Sequence, residues 1–236
     1  LEPVAKVIES HQPDIVGLQE VDRNRKRTGK KDQPGELSSR LGMHSAFQPS
    51  FSISVPGGDD EEYGNALLSR FPINSSERFL LFKPDYSKTN PKYPNYYSEQ
   101  RSVLYSTVSV EGTTVHVFAT HLGLTADQRE QQVDQILEMM AKHEGPKVLF
   151  GDFNAEPSET AMQRLASKYT DVFKAVGASD EDRKSFPAGL NPKGAIDYIF
   201  VSSEFEVLSA EVIRDASLAS DHNPVIATVR LKKSAK

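Results

Sequence analysis

The chain has 236 residues, 37% of them hydrophobic, with 28 Lys and Arg against 33 Asp and Glu and a formal net charge of −5. That length suits one large domain or two small ones, and the acidic balance excludes an overall basic footprint for gripping long nucleic acid while leaving room for a local patch. Neither cysteine nor tryptophan is present, which rules out a disulfide framework, a Cys-based zinc site and a thiol nucleophile.

In chain order, residues 3–10 open with Pro3 and place Val4, Val7 and Ile8 on one face, which predicts a helix. Residues 14–18 form an apolar run that ends in Gln19-Glu20. Residues 22–32 carry Arg23, Arg25, Lys26, Arg27, Lys30 and Lys31 and read as a loop, either a solvated one or one that meets an anionic substrate. A short helix is expected over residues 35–41 and a turn over residues 56–62. Gly64-Asn65 leads into the apolar run Ala66-Leu67-Leu68-Ser69. Residues 83–100 hold Pro84, Pro91, Pro94 and four tyrosines, a long surface loop. In it Tyr93, Tyr96 and Tyr97 either stack on a base or apolar headgroup or pack the loop down.

Residues 101–110 alternate as a strand, Glu111-Gly112 turns a hairpin, and residues 113–119 return as a strand that ends in Thr120-His121-Leu122. Residues 125–143 are the clearest helix, with Val133, Ile136, Leu137 and Met140 at helical spacing and Gly145-Pro146 behind it. Val148-Leu149-Phe150 reads as a buried strand closing in Gly151-Asp152-Phe153-Asn154. A further helix is expected over residues 158–168 with Ser158 as N-cap. Ile196-Asp197-Tyr198-Ile199-Phe200-Val201 is an apolar strand bearing one acid, and Ser220-Asp221-His222-Asn223 precedes a last strand over residues 225–229. Strands and helices alternate, but the hairpin implies a mixed sheet.

Several strands thus end in Glu, His, Asp or Asn. A packed core does not need that arrangement, whereas a site assembled from strand ends does. Gly-Asp-x-Asn alone is also what a turn needs when Asp and Asn bond their own backbone. Six segments in order carry more: Gln19-Glu20, Gly64-Asn65-Ala66-Leu67-Leu68-Ser69, Thr120-His121-Leu122, Gly151-Asp152-Phe153-Asn154, Ile196-Asp197-Tyr198 and Ser220-Asp221-His222. Through them nearly the whole chain resembles the endonuclease/exonuclease/phosphatase superfamily, the DNase I-like fold. The resemblance implies an α/β sandwich of two mixed β-sheets packed face to face with helices outside, as a single domain over residues 1–236. It also implies phosphate-ester hydrolysis with Mg²⁺ or Mn²⁺. One departure is visible. The family opens with a strand carrying an Asn, about twenty residues or more before Gln-Glu, whereas only nineteen residues precede Glu20 here. That first strand is expected to be missing from the sequence.

The resemblance assigns roles residue by residue. Glu20 is the principal metal ligand, braced by Gln19, and Asp221 completes the metal environment. Asp152 orients or deprotonates the attacking water, and Asn154 donates to a phosphate oxygen. His222 contacts the phosphate, with Asp197 on its other ring nitrogen, and His121 is a second phosphate donor. Asn65 shapes the site floor or touches substrate, and Arg101 reaches a phosphate as a substrate-binding residue or pairs with Glu99. The expected activity is a phosphodiesterase acting on a small phosphodiester, a lipid headgroup or nucleic acid. Nuclease activity is the alternative, and a non-catalytic phosphate-binding module is the reading from another class. The absent Trp argues against an abasic-site endonuclease. Gly194-Ala195-Ile196-Asp197, in place of a Cys-Asp-Arg motif, argues against an inositol polyphosphate 5-phosphatase. No run approaches the ~18 apolar residues of a membrane span. A soluble monomer without stable membrane insertion, cytoplasmic or secreted, is expected.

Overall fold

The computed structural model describes residues 1–85, 98–214 and 219–232. The elements run α1 (Glu2–His11), β1 (Ile15–Arg23), α2 (Gln33–Leu41), β2 (His44–Ile53), β3 (Glu61–Ser69), β4 (Ile73–Leu80), β5 (Ser102–Val110), β6 (Thr113–His121), α3 (Ala126–Ala141), β7 (Lys147–Asp152), α4 (Thr160–Ala166), β8 (Thr170–Asp171), α5 (Val172–Ala175), β9 (Asp197–Val201), β10 (Phe205–Val212) and β11 (Val225–Leu231). Three sheets form, with strand orders β4-β5-β6-β7-β9-β8, β1-β3-β2 and β10-β11. Every pairing is antiparallel except β6 with β7, which run parallel and are joined through α3.

Alternation along the strands of the six-stranded sheet builds the layers, because successive side chains leave on opposite faces. One face sends Tyr105, Phe118, Leu149, Tyr198 and Phe200 against Val133, Ile136 and Met140 of α3 and Met162 and Leu165 of α4. The other face sends Leu104, Val117, Ala119 and Val201 against Ala46, Leu67 and Phe205 of the two smaller sheets. The outer side of the three-stranded sheet is covered by α1 and α2 through Ala5, Ile8, Leu37, Met43 and Leu68. Neighbours Leu67 and Leu68 therefore serve two different cores. The result is the expected α/β sandwich of packed sheets with helices outside. Gly17 shows how closely the layers meet: a Cβ there would lie 2.0 Å from the Phe150 ring. Among the described residues, β1 pairs only with β3 and β11 only with β10.

Several expectations are corrected. The first strand does not stop near Leu18: β1 continues to Arg23, because a bulge between Leu18 and Val21 keeps its pairing with β3 intact. The cap of α4 is Glu159, not Ser158. The Glu159 carboxylate accepts from the Glu156 N–H at 3.1 Å and pairs with Arg129, holding the entry to that helix. The basic run after Glu20 folds back on its own sheet. Arg23 pairs with Glu62, Arg25 with Glu61 and Arg27 with Asp22, while their guanidinium groups lie over Phe47, Phe51 and Tyr63. Tyr93, Tyr96 and Tyr97 fall outside the described residues. No helix among the described residues is long and apolar enough to cross a membrane.

Candidate active site

Strand register assembles the site. His121 closes β6, Asp152 closes β7 and Asp197 opens β9, and the ladder pairs His121 with Asp152 and Asp152 with Asp197. Opposed residues share a face, so three of the candidate side chains stand in one row across three strands. Gly151 permits the approach: a Cβ on it would sit 1.9 Å from the Thr120 carbonyl oxygen. Beyond the row, Asp152 Oδ1 accepts from the Asn154 N–H at 2.7 Å. That bond closes a turn in which Asn154 takes φ +50°, a conformation Asn tolerates better than most residues.

His121 is the hub. Its Nδ1 lies 3.2 Å from Arg101 Nη1 and its Nε2 lies 3.0 Å from Asn154 Nδ2, and both partners can only donate to the ring. Nε2 also lies 3.4 Å from Asp152 Oδ2. Burial, then the charges of Arg101 and His222, hold the His121 pKa well below its usual value, so the ring is neutral. His222 is the opposite case. Burial opposes its charge, but the hydrogen bond from Nδ1 to Asp197 Oδ2 at 2.7 Å and the carboxylates of Asp197, Asp152 and Asp221 prevail and push its pKa up to about 9. Its Nε2 lies 3.9 Å from Asp152 Oδ2. Asp152 is buried, and burial plus the Asp197 charge push its pKa up to about 7, against the pull of the Asn154 amide, His222 and Arg101. One neutral imidazole, one cationic imidazole and a carboxylate poised near neutrality thus surround one point. Such divergence among neighbouring titratable groups is characteristic of acid–base chemistry.

The remaining expected residues lie at graded distances from that point. Glu20 Oε1 is 3.9 Å from His121 Nδ1, with its side chain 58% exposed. The β1 bulge re-aims it: Gln19 and Glu20 together oppose Asn65, and Glu20 takes φ +59°. Gln19 makes no hydrogen bond to Glu20 among the described residues. Asn65 is buried and donates to the Ser102 carbonyl at 3.0 Å, tying the two sheets together below the site. Arg101 is buried and also pairs with Glu99 at 3.2 Å. Asp221 is exposed, its backbone oxygen accepting from Ala188 N.

Sequence reasoning also missed Ser185 and Phe186. The Ser185 hydroxyl donates to Asp197 Oδ2 at 2.5 Å, and the Phe186 ring lies 4.7 Å from the His222 ring. Asn223 exchanges two hydrogen bonds with Gly189, each 2.9 Å, and so fastens this loop to the segment bearing His222. The only sequence signal for these residues was their nearness to Asp197 and His222.

A metal ion must be fitted to this donor set. Among the described residues, no three His, Cys, Asp or Glu side chains are gathered so that they could cage an ion by themselves. The set nonetheless suits Mg²⁺, which binds through one or two carboxylates and fills the rest of its shell with water and substrate oxygens. Glu20, half exposed and facing the Asp152 row, provides such a carboxylate.

An α/β sandwich with acids, imidazoles and a guanidinium converging at its strand ends has the layout of a phosphoester hydrolase. A model of the endonuclease/exonuclease/phosphatase family matches residues 1–222, and the chain belongs to that family, whose members are hydrolases acting on phosphate esters. Among curated proteins it is 27% identical to rat (Rattus norvegicus) nocturnin over 249 residues, covering 94% of this chain and 54% of nocturnin. It is 29% identical over 140 residues to protein cwh43 of Schizosaccharomyces pombe, covering 58% of this chain and 12% of that protein. The chain thus spans about half of the one relative and about an eighth of the other. Among solved structures, the human nocturnin catalytic domain with bound sulfate superposes with a TM-score of 0.72 at 23% identity, covering 98% of this chain and 85% of that one. A mannosyl-6-phosphatase from Bacteroides thetaiotaomicron gives 0.73 at 20% identity, covering 97% and 90%. These structures share the fold.

Proposed function

We propose that the chain is a divalent-metal-dependent phosphoesterase that prefers phosphodiesters and works through a water activated at Asp152. The observation that carries this reading is the row His121–Asp152–Asp197 with His222 turned onto it. Hydrolysis needs a base for the attacking water, donors for the phosphoryl oxygens and help for the leaving group. Asp152 accepts the water's proton. Cationic His222, held by Asp197, donates to a phosphoryl oxygen and opposes the charge that develops there. Neutral His121 offers its ring proton to a second phosphoryl oxygen, with Arg101 beside its Nδ1. Glu20 would hold Mg²⁺ or Mn²⁺, with Asp221 as the further carboxylate, and the ion would supply charge neutralisation at the phosphoryl and leaving oxygens. The sulfate bound by the nocturnin domain, a tetrahedral oxyanion like phosphate, supports the same reading.

The test is hydrolysis of bis-p-nitrophenyl phosphate and p-nitrophenyl phosphate with Mg²⁺ or Mn²⁺. The expected result is turnover of the diester that EDTA abolishes and that His222→Ala lowers by about 10²–10⁴-fold. Turnover unchanged by EDTA and by His222→Ala would remove both the metal and the dyad from the reaction.

A further inference from the structure

We infer that Ser185 is a positioning residue for His222: its hydroxyl fixes the Asp197 oxygen to which the imidazole donates, and its carbonyl fixes the main chain beside the imidazole. This rests on the reading of His222 as a group that meets the phosphate.

His222 needs outside support. It lies outside the helices and strands, and its own N–H donates to the hydroxyl of the nearby Ser220, at 3.1 Å. Its ring is aimed by the bond from Nδ1 to Asp197 Oδ2, at 2.7 Å. A single donor leaves a carboxylate free to turn about its last torsion and to offer either oxygen, because that torsion is broad and nearly two-fold. The Ser185 hydroxyl is a second donor, and it meets the same Oδ2 at 2.5 Å. Two donors from different directions on one oxygen select one orientation of the carboxylate. Ser185 is itself held on both sides. It is fully buried, its N–H donates to the Gly194 carbonyl at 2.9 Å, and its carbonyl accepts from the Asn223 N–H at 2.8 Å. Asn223 directly follows His222, and Gly194 lies three residues before Asp197. One buried serine therefore sets both the main chain next to His222 and the acceptor of its ring. Phe186, the next residue, adds its ring against the imidazole, with centroids 4.7 Å apart. What this arrangement fixes is the other ring nitrogen, Nε2, which stands 3.9 Å from Asp152 Oδ2. Misplacing such a group by about 1 Å can cost about 10²-fold in rate.

Ser185→Ala removes the hydroxyl and keeps every main-chain bond. Hydrolysis of bis-p-nitrophenyl phosphate with Mn²⁺ is measured for wild type, Ser185→Ala, His222→Ala and the double variant, with melting curves as the control for folding. The expected result is a kcat lowered by about 10–100-fold in Ser185→Ala, with KM nearly unchanged. Adding Ser185→Ala to His222→Ala should cost nothing more, because the serine acts through the imidazole. An equal loss in both backgrounds, or wild-type turnover in Ser185→Ala beside a slow His222→Ala, would make Ser185 a packing residue only and leave the role of His222 standing. Wild-type turnover in His222→Ala would remove the dyad from the reaction, and the proposal with it. Should Ser185→Ala melt below the assay temperature, Ser185→Cys, close in volume and only a weak donor, gives the same comparison.

Discussion

Asp152→Asn should lower kcat by about 10²–10⁴-fold and at the same time make the metal-free protein more stable at pH 8. The two effects share one cause. Asp152 is 7% exposed, and burial together with Asp197 raises its pKa to about 7. The usual carboxylate value is 3.8. Between those values the folded state holds a proton that the unfolded state has released. Stability therefore falls as pH rises from about 4 to about 7 and stays low above that, by an amount on the order of a few kcal/mol. Asn has the same shape, still accepts from the Asn154 N–H and carries no charge. The variant should thus lose the base and also lose the penalty of burying an anion. Urea unfolding in EDTA at pH 5 and pH 8 checks this: wild type should weaken across the interval, and Asp152→Asn should change far less. Wild-type turnover in the variant would dismiss Asp152 as the base.

Arg183→Met should destabilise the fold by about 3–5 kcal/mol, or roughly 6–20 °C in Tm for a chain of this size. Arg183 is 1% exposed, and its Nη1 donates to Asp171 Oδ2 at 2.8 Å. Its guanidinium lies 4.5 Å from the Tyr198 ring centroid and 5.1 Å from that of Phe173. Asp171 is buried too and accepts from the Phe173 N–H at 3.0 Å, which starts α5. Met fills much of the same volume, so the main loss is electrostatic: a carboxylate left in the interior without its cation. The double variant Arg183→Met/Asp171→Asn should regain most of the stability, because removing both charges also removes their desolvation cost. Thermal melts of the three variants decide it. A single variant that melts with wild type, or a double variant worse than the single, would contradict the account. Two residues after Arg183 comes Ser185, whose hydroxyl holds Asp197, so loosening this loop should also reduce activity.

Much of the site was legible because its residues sit at the ends of apolar runs. Val148-Leu149-Phe150 announces a buried strand, and Asp152 follows at its end. What one sequence cannot reveal is register. Nothing in the spacing of His121, Asp152 and Asp197 says that they become neighbours, because that depends on β6, β7 and β9 pairing across long stretches of chain. Elements were missed where local signals conflict. β2 carries Pro49, which usually argues against a strand interior, but here it sits beside a bulge at Ser50. β4 is rich in Ser, Glu and Arg because it is the edge of its sheet, where polar composition protects against unwanted pairing. The basic run after Glu20 read as a loop because its charge concealed its partners: the acids that neutralise Arg23 and Arg25 lie on β3, nearly forty residues away.

The backbone at Glu20 sets function against durability. A residue with a side chain at φ +59° pays about 1–2 kcal/mol in local strain that glycine does not. Glycine gives some of this back through the greater freedom of the unfolded chain. Glu20→Gly should therefore be at least as heat-resistant as the parent, by up to about 1 kcal/mol, while lacking the carboxylate proposed to hold the cation. A library of this chain sorted for heat tolerance alone would drift away from Glu20, and its best survivors would be inert.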